Sequence, residues 1–139
     1  LNKIKTENGR SISRRCLSRD AMLAARQLLK ENRLRSSVSR AYYAAYSAVA
    51  ARMTDESVSF AHGWNNPSHD QLIPWLLRNR QWTPIRRRQL TNALRRLRSS
   101  RETADYRPRH TLTRADAIRS LRDADLVLRL TEVSDENTD

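Results

Sequence analysis

Arg101 stands on what is otherwise the apolar stripe of a helix. Leu90, Leu94, Leu97, Arg101 and Ala104 recur in steps of three and four, the spacing that keeps side chains on one helical face. A guanidinium does not shed its proton, so at that position it needs acceptors or an opening to solvent. Glu102, Thr103, Ala104, Asp105 and Tyr106 follow, which puts an acid and a phenol within about one turn of the cation. This Arg/Asp/Tyr group, joined by a histidine, suits metal-free phosphoryl chemistry on RNA. Such cleavage turns the 2′-hydroxyl onto the adjacent phosphorus, holds the developing charge with a cation, and hands a proton to the leaving oxygen. Arg101 would be the cation, and His69 or His110 would move the proton near neutral pH. Tyr106 is the poorer proton carrier, because a phenol ordinarily titrates near 10. A structural reading stands beside this one. Arg101 and Asp105, at i and i+4, would form an ion pair tying the fourth helix to the second, with Tyr42, Tyr43 and Tyr46 as core aromatics.

Other chemistries lack their residues. The chain has one cysteine, and none of its three histidines (His62, His69, His110) pairs with another at the i, i+4 spacing of a helical zinc site. There is no glycine-rich phosphate loop and no serine in a nucleophile turn, so neither a metal nor a cofactor is expected. Cys16 alone cannot form an internal disulfide and fits a reducing cytoplasm. No apolar stretch approaches membrane-spanning length, and the N-terminus lacks the apolar core of a signal peptide.

Charge narrows the partners. The formal net charge is +12, and of the 27 basic residues only Lys3, Lys5 and Lys30 are lysines. A GC-rich genome would produce that arginine bias without functional selection. The distribution is more informative: Gln71 to Arg101 contains nine arginines and no acid. A solvated helix face ordinarily mixes signs, whereas a one-sign surface attracts polyanions and arginine forks fit phosphate oxygens. Arg86, Arg87, Arg95 and Arg98 are therefore candidate contacts to RNA or to an acidic partner. Alternatively, acids on neighbouring helices neutralise them.

The elements that must position these groups are helical. The 139 residues make one domain, with only two glycines and four prolines, and no strand-length alternation of β-branched or aromatic residues. Residues 1–17 read as a basic arm without a steady period. Ser18 or Asp20 caps a first helix to about Asn32, with Met22, Leu23, Leu28 and Leu29 as its apolar face. A second helix spans about Ser36 to Met53, with Val38, Ala41, Tyr42, Ala45, Val49 and Met53 on one side. Residues 54–67 form the longest irregular stretch. Ser68 with Gln71 makes a capping-box pattern for a short third helix to about Asn79, containing Pro74. Thr83-Pro84 starts a fourth helix to about Ala104. Thr113 and Asp116 open a fifth, on Ala117, Ile118, Leu121, Ala124 and Leu128. The bundle thus occupies residues 18–132, and an acidic tail follows over 133–139. Trp64, Trp75 and Trp82 gather around the third helix as local core, a dimer contact or a base-stacking platform. Short connections favour an all-α, up-and-down antiparallel helical bundle of four to five helices.

Three segments together carry a family resemblance: Ser39-Arg40-Ala41-Tyr42-Tyr43-Ala44-Ala45-Tyr46, Ser68-His69, and Arg101-Glu102-Thr103-Ala104-Asp105-Tyr106. In this order and separation they resemble the HEPN domain, in particular its small stand-alone prokaryotic branch, over about residues 18–130. The resemblance implies a helical bundle that pairs into homodimers. It also implies a role in toxin–antitoxin or other defence systems, either as a metal-independent RNase or as a non-catalytic module, often beside a nucleotidyltransferase acting as partner or antitoxin. Arg40, Tyr43, His69, Arg101, Asp105 and Tyr106 match recurring positions of that branch. The RNases of the family place a histidine four to six residues after the arginine. Here Tyr106 occupies that place, so the arginine carries over and the histidine does not.

Overall fold

The computed structural model describes residues 2–132, with side chains from residue 9 onward apart from that of His62; the acidic tail assigned to 133–139 lies outside the described residues. Five α-helices follow in order: α1 (Asn2–Lys30), α2 (Leu34–Asp55), α3 (His69–Arg78), α4 (Pro84–Tyr106) and α5 (Arg114–Thr131), with a single 3₁₀ turn at Ala61–Gly63 between α2 and α3. There is no strand among the described residues. Helices α1, α2, α4 and α5 run up-down-up-down, and the short α3 packs chiefly against α4. The all-α bundle expected from the sequence is the fold.

Helix α2 is the central element and packs against α1, α4 and α5. Its alanines make this possible: Ala41, Ala44, Ala45, Ala48, Ala50 and Ala51 are all buried, so neighbours approach it on nearly every side. The core between them holds Met53, Leu72, Leu76, Trp82, Leu90, Leu94, Leu97 and Val127. Asn32, in the left-handed region at φ 60°, closes the α1–α2 turn, and the Arg33 N–H reaches back to Leu28 O at 2.9 Å.

The expectation of a basic arm over residues 1–17 is corrected: α1 runs from Asn2 without a break. Its buried stripe is not apolar in this half. Ser11 and Ser18 are buried, donating to Ala51 O at 3.4 Å and Ala44 O at 2.7 Å on α2. Arg15 pairs with Asp55, and Arg14 donates to Asn66 Oδ1 at 2.8 Å and to Asn65 O. Serine contacts replace leucine contacts, so hydrophobic periodicity is absent although the packing face is continuous. The expected apolar face of α1 is corrected in one residue as well, since Leu23 points outward and is exposed.

The start signals at the later helices behave unevenly. Thr83 Oγ1 accepts from the Arg86 N–H with Pro84 at the first helical position, and Thr113 with Asp116 forms a complete capping box. The pattern at Ser68 forms no side-chain cap; Gln71 instead donates to Ser59 O at 2.9 Å and accepts from the Ala61 N–H at 3.3 Å, pinning the preceding loop. Trp75 and Trp82 meet edge to face at 6.1 Å and belong to the core, while Trp64 is exposed. No helix is long and apolar enough to cross a membrane among the described residues.

Candidate functional site

An open cleft of about 930 Å³ lies where the first half of α2 passes the end of α4 and the start of α3. Helix α2 contributes Ser39, Arg40, Tyr42, Tyr43 and Tyr46 in steps of one to three, a polar and aromatic strip beside its alanine face. Helix α4 brings Arg101 and Asp105, and α3 brings His69.

Arg101 satisfies both readings of its position. Its Nε donates to Asp105 Oδ2 at 3.0 Å, and Ser39 Oγ donates to the same oxygen at 3.2 Å, so the pair does tie α4 to α2. The two side chains nevertheless stay 29% exposed each, and the guanidinium lines the cleft. Its carbon lies 5.7 Å from the Tyr42 ring centre and 5.6 Å from that of Tyr106.

His69 is the first residue of α3, and its ring sits 5.3 Å from that of Tyr42 and 5.0 Å from that of Tyr46. The Tyr42 hydroxyl and His69 Nδ1 share a hydrogen bond. Burial, followed by the charges of Arg98 and Arg101, pushes the His69 pKa below its ordinary value. Burial pushes the Tyr42 phenol up to about 12. Both groups are therefore neutral near pH 7. If Nδ1–H donates to Tyr42, Nε2 keeps a lone pair as a base; if the phenol donates, Nε2 carries the proton as a donor. Tyr46 donates to Pro67 O and so anchors the loop that leads into His69.

The structure brings together Arg40, Tyr43, His69, Arg101 and Asp105 around this cleft. Tyr106 touches Arg101 from the outer side and is 67% exposed, off the cleft wall. Arg95 and Arg98 border a smaller hollow of about 260 Å³ that His69 and Tyr42 also line, with Arg98 Nη1 on Asp70 Oδ1 at 2.9 Å. Arg86 and Arg87 do not join them. They sit at the opposite end of α4, roughly 20 Å of helix away, where Arg87 donates to Leu77 O at 3.2 Å. His110 is likewise excluded: its ring lines a separate hollow with Arg96, Asp116 and Asp123. Part of the arginine run is neutralised by neighbouring acids, as Arg96 on Asp123 at 2.8 Å shows.

Arg35, which nothing in the sequence singled out, turns out to organise the site. Its Nη1 donates to Thr103 O at 3.1 Å, Ala104 O at 3.0 Å and Arg107 O at 3.1 Å, and its Nη2 to Pro108 O at 3.2 Å and to His110 O. One side chain thus meets two of the last four carbonyls of the helix that carries Arg101 and Asp105, and three more in the turn beyond it. The only advance signal was indirect: Pro108 ends α4 and leaves those carbonyls in need of donors.

The molecule is an all-α up-and-down bundle with an arginine, tyrosine and histidine cleft between α2 and α4. The HEPN domain matches residues 18–134, and the chain belongs to the HEPN domain family. No curated protein matches the chain.

Proposed function

We propose that this HEPN chain binds RNA through the α2–α4 cleft as one of two paired copies, acting in the cytoplasm within a toxin–antitoxin or defence pair. A nucleotidyltransferase-type protein is the partner this reading favours. One observation carries the RNA assignment: Arg101 and His69, from different helices, open onto a single cleft walled by Tyr42, Tyr43 and Tyr46. A cation for phosphate beside aromatic faces for bases is the combination that holds a nucleic-acid strand. Ile12 and Leu23, on one exposed stripe of α1, support pairing of two copies.

His69 favours a second reading, that of a metal-independent endoribonuclease. The family position four residues beyond the Arg101–Glu102 step holds Tyr106, but His69 supplies an imidazole to the same cleft from α3. With Nδ1–H held by Tyr42, Nε2 takes the 2′-hydroxyl proton as that oxygen attacks phosphorus. The bond to the 5′-oxygen breaks, the proton passes to that oxygen, and a 2′,3′-cyclic phosphate forms while Arg101 holds the equatorial charge.

Incubating the protein with total RNA in EDTA, alongside Arg101→Ala and His69→Ala, tests both readings when binding is measured in parallel. RNA binding that weakens at least ~10-fold in Arg101→Ala supports the cleft; equal binding by wild type and variant removes it. Cleavage that disappears in both variants makes the chain an RNase, and intact RNA with wild type makes it a binding module.

A further inference from the structure

Helices α4 and α5 face each other across a separate open hollow of about 560 Å³, which shares no lining residue with the α2–α4 cleft. Arg96, Ser99, Ser100 and Thr103 line it from α4. Asp116, Arg119, Ser120 and Asp123 line it from α5. Each set recurs at i, i+3, i+4 and i+7, so each helix presents one stripe to the gap. Packed helices ordinarily interleave large side chains along such stripes. Here short hydroxyl side chains stand in their place and leave room between the helices.

The charges of this hollow do not cancel. Both oxygens of Asp123 accept from Arg96, at 3.0 and 2.8 Å, and those of Asp116 accept from the Thr113 N–H at 2.9 Å and from Arg119. The two carboxylates are engaged, and Arg122, which also lines the hollow, has no acidic partner among the described residues. Arg119 and Arg122 stand three residues apart on α5, with Cβ atoms about 5–6 Å apart, a spacing that lets two guanidiniums share one phosphate. The hydroxyls supply a second, independent observation. Buried Ser11, Ser18 and Ser37 each donate to a carbonyl across the α1–α2 seam. Ser120 is 3% exposed and lines the hollow, yet its hydroxyl has no hydrogen-bond partner among the described residues. An alanine there would spare the fold the cost of burying that oxygen. The hydroxyls of Ser99, Ser100 and Thr103, on the facing wall, are also without protein partners among the described residues. Each donates once and accepts twice, which matches a ligand that is itself rich in hydroxyls. His110 carries the only ring in the lining, so a nucleobase has no broad face to stack on.

We infer that the α4–α5 hollow binds a small sugar phosphate, with the phosphate on Arg119 and Arg122 and the sugar hydroxyls between Ser120 and the Ser99–Thr103 wall. Its volume lies within the ordinary range of small-molecule sites. The inference does not rest on the RNA reading of the α2–α4 cleft and stands or falls separately from it. A ribose phosphate unit can arrive free or as part of a nucleotide, and the lining favours the free form.

Isothermal titration calorimetry of the full chain tests this with four probes: ribose 5-phosphate, ribose, inorganic phosphate and AMP. Ribose 5-phosphate is expected to bind saturably with a Kd below ~1 mM. Ribose and inorganic phosphate should each bind at least ~10-fold more weakly, because each meets only part of the site. Arg122→Gln should weaken ribose 5-phosphate by ~10-fold to ~100-fold, the loss of a charge-assisted hydrogen bond. Its side chain has no acidic partner to lose, so its Tm should match that of wild type. Ser120→Ala should weaken binding by ~3-fold to ~10-fold without lowering Tm, since its hydroxyl has no partner in the fold. Absence of saturable ribose 5-phosphate binding, or wild-type affinity in both variants, overturns the site. So does a Ser120→Ala variant that loses stability and keeps its affinity, because the hydroxyl would then serve the fold. Inorganic phosphate binding as tightly as ribose 5-phosphate overturns the sugar assignment. AMP binding tighter by ~10-fold or more, the gain from a stacked base, overturns the free sugar phosphate in favour of a nucleotide. Arg101→Ala should leave ribose 5-phosphate binding unchanged. An equal loss in that variant would put the phosphate in the α2–α4 cleft and overturn the second site, whatever the outcome with RNA.

Discussion

Removing the Arg35 side chain should damage the end of α4 more than any other single surface truncation. The guanidinium meets five backbone carbonyls, two of them half-buried (Thr103 and Ala104) and three at the exposed turn (Arg107, Pro108 and His110). Hydrogen bonds from a charged donor net about 1.5–3 kcal/mol where water is excluded, and much less where water can replace the donor. Taking the two half-buried bonds at about 1 kcal/mol each and the exposed three as near zero gives about 2 kcal/mol. The cation also faces the negative end of the helix, which adds about 0.5 kcal/mol. Arg35→Ala is therefore expected to cost about 2–3 kcal/mol, or roughly 8–12 °C in Tm for a chain of this size. Arg35→Lys keeps the charge but loses the fork, and should recover less than half of that. Urea unfolding followed by far-UV circular dichroism measures both. A loss below about 0.5 kcal/mol in Arg35→Ala would refute the reasoning, because water would then cap α4 as well as the guanidinium does.

Four further outcomes follow from the same geometry. His69 has a folded pKa below its ordinary 6.5, so the folded state binds fewer protons than the unfolded one below that value. The stability it contributes is complete above pH 6.5 and declines as pH falls through the folded pKa, and His69→Gln should flatten that limb of a urea titration against pH. Tyr42 has the opposite sign. Its pKa, raised from 10.0 to about 12, gives stability that is lost as pH rises between those values, about 2–3 kcal/mol in all, and Tyr42→Phe should abolish the alkaline limb. Ser18→Leu should overpack the α1–α2 seam and cost about 1–3 kcal/mol by thermal unfolding, although a leucine there would improve the apolar pattern of α1. Arg101→Leu should leave Tm unchanged or raise it slightly, while RNA binding falls.

Legibility in the sequence tracked how each element is held. Helices α4 and α5 announce themselves because their caps are local chemistry: Thr83 with Pro84, and Thr113 with Asp116, need no tertiary partner to act. The second helix was legible as a helix but not as the centre of the bundle, since Ala44, Ala48 and Ala51 reveal nothing about which of its sides is covered. The first half of α1 was illegible for a definite reason. A buried serine reads as polar in any hydrophobic pattern, and only the α2 carbonyls that receive Ser11 and Ser18 explain their burial. At the site, the clustering of Arg101, Asp105 and Tyr106 is sequential and could be read directly. The arrival of His69 depends on the packing of α3 against α4 and on Tyr46 holding Pro67, contacts that no spacing rule contains. Arg35 was missed because five carbonyls carry no sequence identity.

Stability gives little reason to prefer an arginine over a leucine at position 101. Along the α4 stripe Leu90, Leu94 and Leu97 are at most 3% exposed and Ala104 is 6% exposed, so packing alone would favour another leucine between them. In exchange the guanidinium obtains an i, i+4 ion pair with Asp105, about 0.3–0.5 kcal/mol at a solvated surface, and stands over the rings of Tyr42 and Tyr106, each worth about 0.5–1 kcal/mol. Burying a leucine side chain against Tyr42 at the same place is worth about 1.5 kcal/mol or more. A cation where an apolar residue would hold the bundle about as well fits the phosphate-binding role proposed for the cleft. The neighbouring acids make the same point from the other side. Asp105 is fixed by Ser39 and Arg101 together, so the carboxylate holds the guanidinium at the cleft wall in one orientation without covering it. An incoming phosphate then meets a cation that has already lost its rotamer freedom, and the entropy of ordering it does not count against binding.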